Sequence, residues 1–247
     1  MEIKDLKDVR VHCITNYITS NLVANSLMAI GATPFIGDDP DEVKDLTKLS
    51  DSLIINIGTL NFRTIRSMLK SGLCANLKQR PIVFLPVNIF ASNLRRQTAE
   101  TFLKELKIDV ILGDFEEIYE VYKILSPEKE SEKDLTEEEK ESICRMVSER
   151  QKCTVIMVSD IDIVADDEST TFFRGEKSPK VYGYKCIYGA LVAAIIGTGL
   201  KATDASKKAA KIMFELKGKL KDLELNTEIG LGNYNSLLIN EMQKLNL

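Results

Sequence analysis

The chain has 247 residues, 44% hydrophobic and 28% charged, which fits one large globule whose core needs no disulfide or metal staple. A formal net charge of −4 argues against a nucleic-acid partner, and no run of about 18 apolar residues is present to span a membrane. Five widely spaced cysteines without a C-x-x-C pair predict free thiols. A single histidine, His12, with no G-x-S-x-G turn, argues against a Ser-His-Asp hydrolase.

The opening residues MEIKDLKDVR are charged and lack an apolar signal core, so the cytoplasm is the expected location. Residues 9–14 form the first short apolar run and predict a strand. The turn Thr15-Asn16-Tyr17 follows at its carboxyl end. Asn16 there has two readings. It offers donors and an acceptor to a small polar ligand, or it satisfies backbone groups of the turn. Residues 21–30 have helical spacing, with Leu22, Leu27 and Ile30 near one face, and Gly31 reads as the residue that ends the helix. Pro34 then holds the chain extended. Further strands are predicted at 52–57, 82–87, 109–112, 154–158 and 162–165, and further helices at 61–71 and 97–106.

The most charged stretch, 126–150, reads as a solvated loop and a surface helix. Thr136 and Glu139 form its capping box, and Ile143, Met146 and Val147 its apolar side. Residues 189–200 are apolar nearly all round and predict a fully buried helix. An amphipathic helix follows over 202–223, with Thr203 as N-cap and Met213, Leu216 and Leu220 inward. A last helix is predicted over 236–245. No linker or repeat divides the chain, so 1–247 is read as a single domain. Strands alternating with helices predict an α/β fold with a mainly parallel central sheet and helices on both faces. Ligands in such folds sit at the carboxyl ends of the strands.

The segment 11–38, with its turn Gly31-Ala32-Thr33-Pro34, closely resembles the opening of the hydroxyethylthiazole kinases, the thiamine-salvage branch of the ribokinase-like three-layer sandwiches. Asn56-Ile57-Gly58-Thr59-Leu60 matches the family's N-I-G-T-L, Val181-Tyr182-Gly183-Tyr184-Lys185-Cys186 its V-T-G-T-G-C, and 230–235 its G-P-G-S-F-Q. The resemblance implies that Asn16 and Ile36 hold the thiazole ring and that Gly183 belongs to an anion hole at a helix N-terminus. It also implies a proton-accepting Cys186, Mg²⁺ at Asp114 and Glu117, ATP as phosphoryl donor, and a homotrimer with sites between subunits. For Glu116 and Glu117 the residues leave a second reading, favourable charge in the first turn of a helix.

The phosphate side departs from the family pattern. The acidic residue of D-P-V-G-A-G-A-T is Leu85 here, and its glycines are Asn88 and Phe90. The Arg of R-G-N-A-S-E-I is Leu112, the Thr of T-G-E is Val158, and the second glycine of V-T-G-T-G-C is Lys185. Two readings of 183–186 stay open. Lys185 adds positive charge for phosphate beside a Cys186 thiolate, or Tyr184 and Lys185 fill the hole and Cys186 is a small buried residue. The expected function is ATP-dependent phosphorylation of the hydroxyl of 4-methyl-5-(2-hydroxyethyl)thiazole. The alternatives are a catalytically silent relative, a pseudokinase that binds small molecules or serves as a scaffold, and a kinase of the same fold with another substrate.

Overall fold

A computed structural model describes residues 4–126, 135–175, 181–226 and 230–245. Among these, eight strands form one sheet: β1 (Arg10–Ile14), β2 (Thr33–Ile36), β3 (Ser52–Asn56), β4 (Ile82–Leu85), β5 (Val110–Asp114), β6 (Thr154–Val158), β7 (Ile161–Ala165) and β8 (Thr170–Arg174). Their order across the sheet is β2-β1-β3-β4-β5-β6-β7-β8. Every pairing from β2 to β6 is parallel, and only β6–β7 and β7–β8 are antiparallel.

The six strands expected from apolar runs are present, because a strand covered on both faces reads as continuous Val, Ile and Leu. The two edge strands gave weaker signals. β2 is half-exposed and begins Thr-Pro, and β8 (TTFFR) has no fully buried residue.

Helices cover both faces. On one lie α1 (Ser20–Ala29), α7 (Tyr184–Gly197), α8 (Ala202–Asn226) and α9 (Leu231–Gln243), packed on Ile54, Val83, Leu85, Leu112 and Ile156. On the other lie α2 (Val43–Leu49), α3 (Phe62–Leu77), α4 (Asn93–Glu105), α5 (Phe115–Leu125) and α6 (Glu137–Gln151), packed on the alternate strand positions Leu53, Ile55, Phe84, Ile111 and Val155. The result is a three-layer α/β/α sandwich. α7 is buried along almost its whole length, as its all-round apolar sequence requires.

Capping chemistry sets several boundaries. Asn61 and Thr64 start α3 with reciprocal bonds, and Thr136 and Glu139 do the same for α6. Thr203 is not the N-cap of α8. That helix begins at Ala202, and the Thr203 hydroxyl instead donates to Asp166 Oδ2 at 2.7 Å. Of the charged stretch, residues 127–134 lie outside the described residues. No described helix is long and apolar enough to cross a membrane.

Candidate functional site

A cavity of about 620 Å³ opens at the carboxyl ends of β1, β5 and β6, where the alternation of strands and helices places a ligand. One wall is the N-terminus of α7. Gly183 is its N-cap, with φ at +92°, and it contributes no capping side chain, so the first-turn N–H groups have no side-chain partner there. Glycine is favoured at 183 by its positive φ, and a Cβ there would also sit 2.6 Å from Leu22 Cδ1, the end of a side chain that would have to shift. The opposite wall is the β5–α5 junction together with the first turn of α6, through Glu137 and Lys140.

Asn16 and Cys186 share the inner end, joined by Thr19. The Thr19 N–H donates to Asn16 Oδ1 at 3.0 Å, and its hydroxyl donates to Cys186 Sγ at 3.4 Å. Asn56 Nδ2 donates to the same sulfur at 3.3 Å, and Asn56 Oδ1 accepts from Gly58 N–H. Asn16 is 1% exposed, and its Nδ2 has no protein partner. Both readings of Asn16 therefore hold in part: its oxygen serves the turn, and its amide donors remain for a ligand. Burial pushes the Cys186 thiol up, against the pull of the Thr19 and Asn56 donors and of Lys185. The sulfur is thus a buried neutral thiol at pH 7, not a thiolate.

At the outer end, Asp114 caps α5. Its Oδ1 accepts from Glu117 N–H at 3.0 Å, and Glu117 Oε2 accepts from Asp114 N–H at 2.9 Å. Glu117 is fully buried, and its Oε1 also accepts from the N–H of Asn88, which sits in the left-handed region at φ +52°. Lys185 reaches across from α7. Its Nζ lies 2.7 Å from Glu117 Oε1 and is bonded to Asp114 Oδ2. Burial raises the Glu117 carboxyl, with Lys185 opposing. Desolvation opposes the Lys185 charge, but the two carboxylates outweigh it and hold the ammonium above its ordinary range.

The expected site residues divide clearly. Asn16, Asp114, Val158, Gly183, Lys185 and Cys186 line the cavity. Glu117 lies directly behind it through Lys185. Leu112 is fully buried in the α7-side core and is not among the lining residues. Ile36, at the end of edge strand β2, is 47% exposed and also lies outside this cavity. Tyr184 also lines the cavity; the residue is 2% exposed, and its ring packs edge-on to Tyr188.

Three features were missed. Thr19 and Asn56 hold Cys186; Asn56 ends the buried strand β3, which was the available signal, whereas Thr19 sits in the turn before α1. The aromatic ladder Phe115–Tyr119–Tyr122 backs the α5 wall, with Lys140 Nζ 5.5 Å from the centre of the Phe115 ring. α6, read as a surface helix, brings its first turn into the site.

Residues 2–247 match the family model described as the hydroxyethylthiazole kinase family. A hydroxyethylthiazole kinase of Clostridium beijerinckii is 39% identical over 205 residues, covering 80% of this chain and 74% of that protein. A solved hydroxyethylthiazole kinase protein from Pyrococcus horikoshii superposes with a TM-score of 0.85 at 26% identity, covering 99% of this chain and 93% of that one. A ribokinase from Thermotoga maritima aligns with a TM-score of 0.53 at 13% identity over 98% of this chain and 84% of that one, a likeness of fold alone.

Proposed function

The chain belongs to the hydroxyethylthiazole kinase family and has the ribokinase-like fold, and on that premise we propose that it transfers the γ-phosphoryl group of ATP to the hydroxyl of 4-methyl-5-(2-hydroxyethyl)thiazole. The observation that carries the reading is the pairing of a buried amide with no protein partner, Asn16 Nδ2, and a helix N-terminus without a side-chain cap at Gly183, on the walls of one cavity. The amide suits a polar atom of the thiazole alcohol, and the N–H groups suit an anionic phosphoryl group. Phosphoryl transfer is mostly positioning plus charge stabilisation through a loose transition state, which demands little early proton removal. A neutral Cys186 is compatible with that demand. Its role here is to hold Thr19, and through Thr19 the turn of Asn16, in place. Val158 and Asp160 line the side where the resemblance puts the nucleotide.

A protein-held Mg²⁺ does not fit the residues present. Leu85 supplies no ligand, and Asp114 and Glu117 are both bonded to Lys185. Among the described residues no group of three or more His, Cys, Asp or Glu is arranged to hold a metal ion. Any metal in the reaction is assigned to the phosphates of the incoming nucleotide. The homotrimer belongs to the same proposal. Its support is the exposure of Ile36, whose expected contact with the thiazole would then come from across a subunit boundary.

Calorimetric titration tests the reading, with ATP and the thiazole alcohol added separately to the purified chain in magnesium buffer. Binding of both, followed by formation of thiazole phosphate, is the expected outcome. Thiazole binding without ATP would replace it with the pseudokinase, and binding of neither would remove it.

A further inference from the structure

Lys185 joins α7 to the β5–α5 junction by charge. Its ammonium is bonded to both carboxylates there, Asp114 Oδ2 and, at 2.7 Å, Glu117 Oε1. The remaining acceptor capacity of Glu117 is directed at backbone donors, Asn88 N–H at 2.8 Å and Asp114 N–H at 2.9 Å. Each of these partners is a hydrogen-bond donor at N–H···O distance. A divalent ion such as Mg²⁺ needs several oxygens at about 2.1 Å in near-octahedral array, and it would have to displace the ammonium and remain beside a second positive charge. Glu117 is fully buried, and the Lys185 and Asp114 side chains are 23% and 34% exposed, so the triad is anchored in the wall at Glu117 and reached by solvent at Asp114.

We propose that Lys185 is a resident cation, occupying the place of a protein-held divalent metal between Asp114 and Glu117, and that removing its side chain opens a divalent-cation site there. This deepens the kinase reading and rests on it for the identity of the cavity as a phosphate site. The consequence is a division of labour. The chain supplies one fixed positive charge, and Asp114 and Glu117 take no part in gripping a metal.

Mn²⁺ titration into the full chain, free of nucleotide and thiazole and followed by the paramagnetic signal of the free ion, tests this directly. The wild type is expected to show no saturable site. Lys185→Gly is expected to gain one, about tenfold or more tighter than any residual wild-type binding, because a repelling unit charge is gone. The gain should vanish in Lys185→Gly/Glu117→Gln, and Lys185→Arg, which keeps the charge, should stay silent. Saturable wild-type binding that Glu117→Gln or Asp114→Asn abolishes would overturn the proposal, whether or not the glycine variant folds. A folded Lys185→Gly that gains no site would overturn it as well. Neither result depends on ATP or thiazole binding, so failure of the kinase reading is read separately, by the titrations of those two ligands.

Discussion

At the scale of single residues, buried polar groups are where this chain is most specific. His12 has no exposed surface. In its neutral form the Nε2–H donates to the Gly37 carbonyl at 3.0 Å, and Nδ1 lies 2.9 Å from Thr47 Oγ1, whose hydroxyl is also 2.7 Å from the Val43 carbonyl. Burial pushes its pKa down to about 4, with the Gly37 bond opposing. The unfolded chain therefore takes up a proton near pH 6.5 that the folded chain refuses until about pH 4. Stability is fully present above pH 6.5 and falls between the two values, by about 3 kcal/mol for a shift of this size. Urea unfolding from pH 7 to pH 4 should show that loss in the wild type and a flatter profile in His12→Gln. Equal slopes in the two proteins would rule out His12 as the cause. His12 stood out in the sequence only as the sole histidine. That it is structural follows from Thr47 and Gly37, which are 35 and 25 residues away.

At the scale of elements, the first turn of α7 combines backbone strain with site geometry. Gly183 at φ +92° packs against Leu22 of α1, and the α7–α1 contact fixes where the helix N-terminus points. Gly183→Ala should cost about 2 kcal/mol, from the left-handed conformation and the clash together. Gly218→Ala serves as the opposite case. It lies within α8, and an added Cβ meets nothing within 4 Å, so it should stabilise by roughly 0.5–1 kcal/mol through helix propensity. Denaturant midpoints of the two variants give the comparison, and a neutral Gly183→Ala would show that α7 can start in another conformation. The caps of α3 and α6 were legible because their signals are local, one side chain reaching a backbone N–H three residues on. The start of α8 was misplaced: the helix already includes Ala202, and the Thr203 hydroxyl donates to Asp166, which only the fold brings near.

For the whole molecule, the single domain is a proposal with a thermodynamic test. One sheet runs from β2 to β8 without interruption, and α7 packs on β1, β3, β4 and β5 together. Disrupting any part of that sheet exposes a core shared with the rest. Unfolding should therefore be one cooperative transition, with the calorimetric enthalpy equal to the van't Hoff value. Two resolved transitions would instead make the antiparallel β6–β8 end a separate unit.

The sequence by itself determined the layered α/β class, six of the eight described strands, the buried helix and the family, because these follow from local periodicity and from motifs kept in chain order. It also put Asn16, Gly183, Lys185 and Cys186 on a short list. It left open which of the two charges at 185 and 117 answers the other. Lys185 and Glu117 are 68 positions apart, and neither the charge of the pair nor the protonation of Cys186 is a property of the residues alone. Both depend on burial and on which donors arrive from Thr19, Asn56 and Asn88, and that was decided only when the sheet brought β1, β3, β5 and α7 to one end of the molecule.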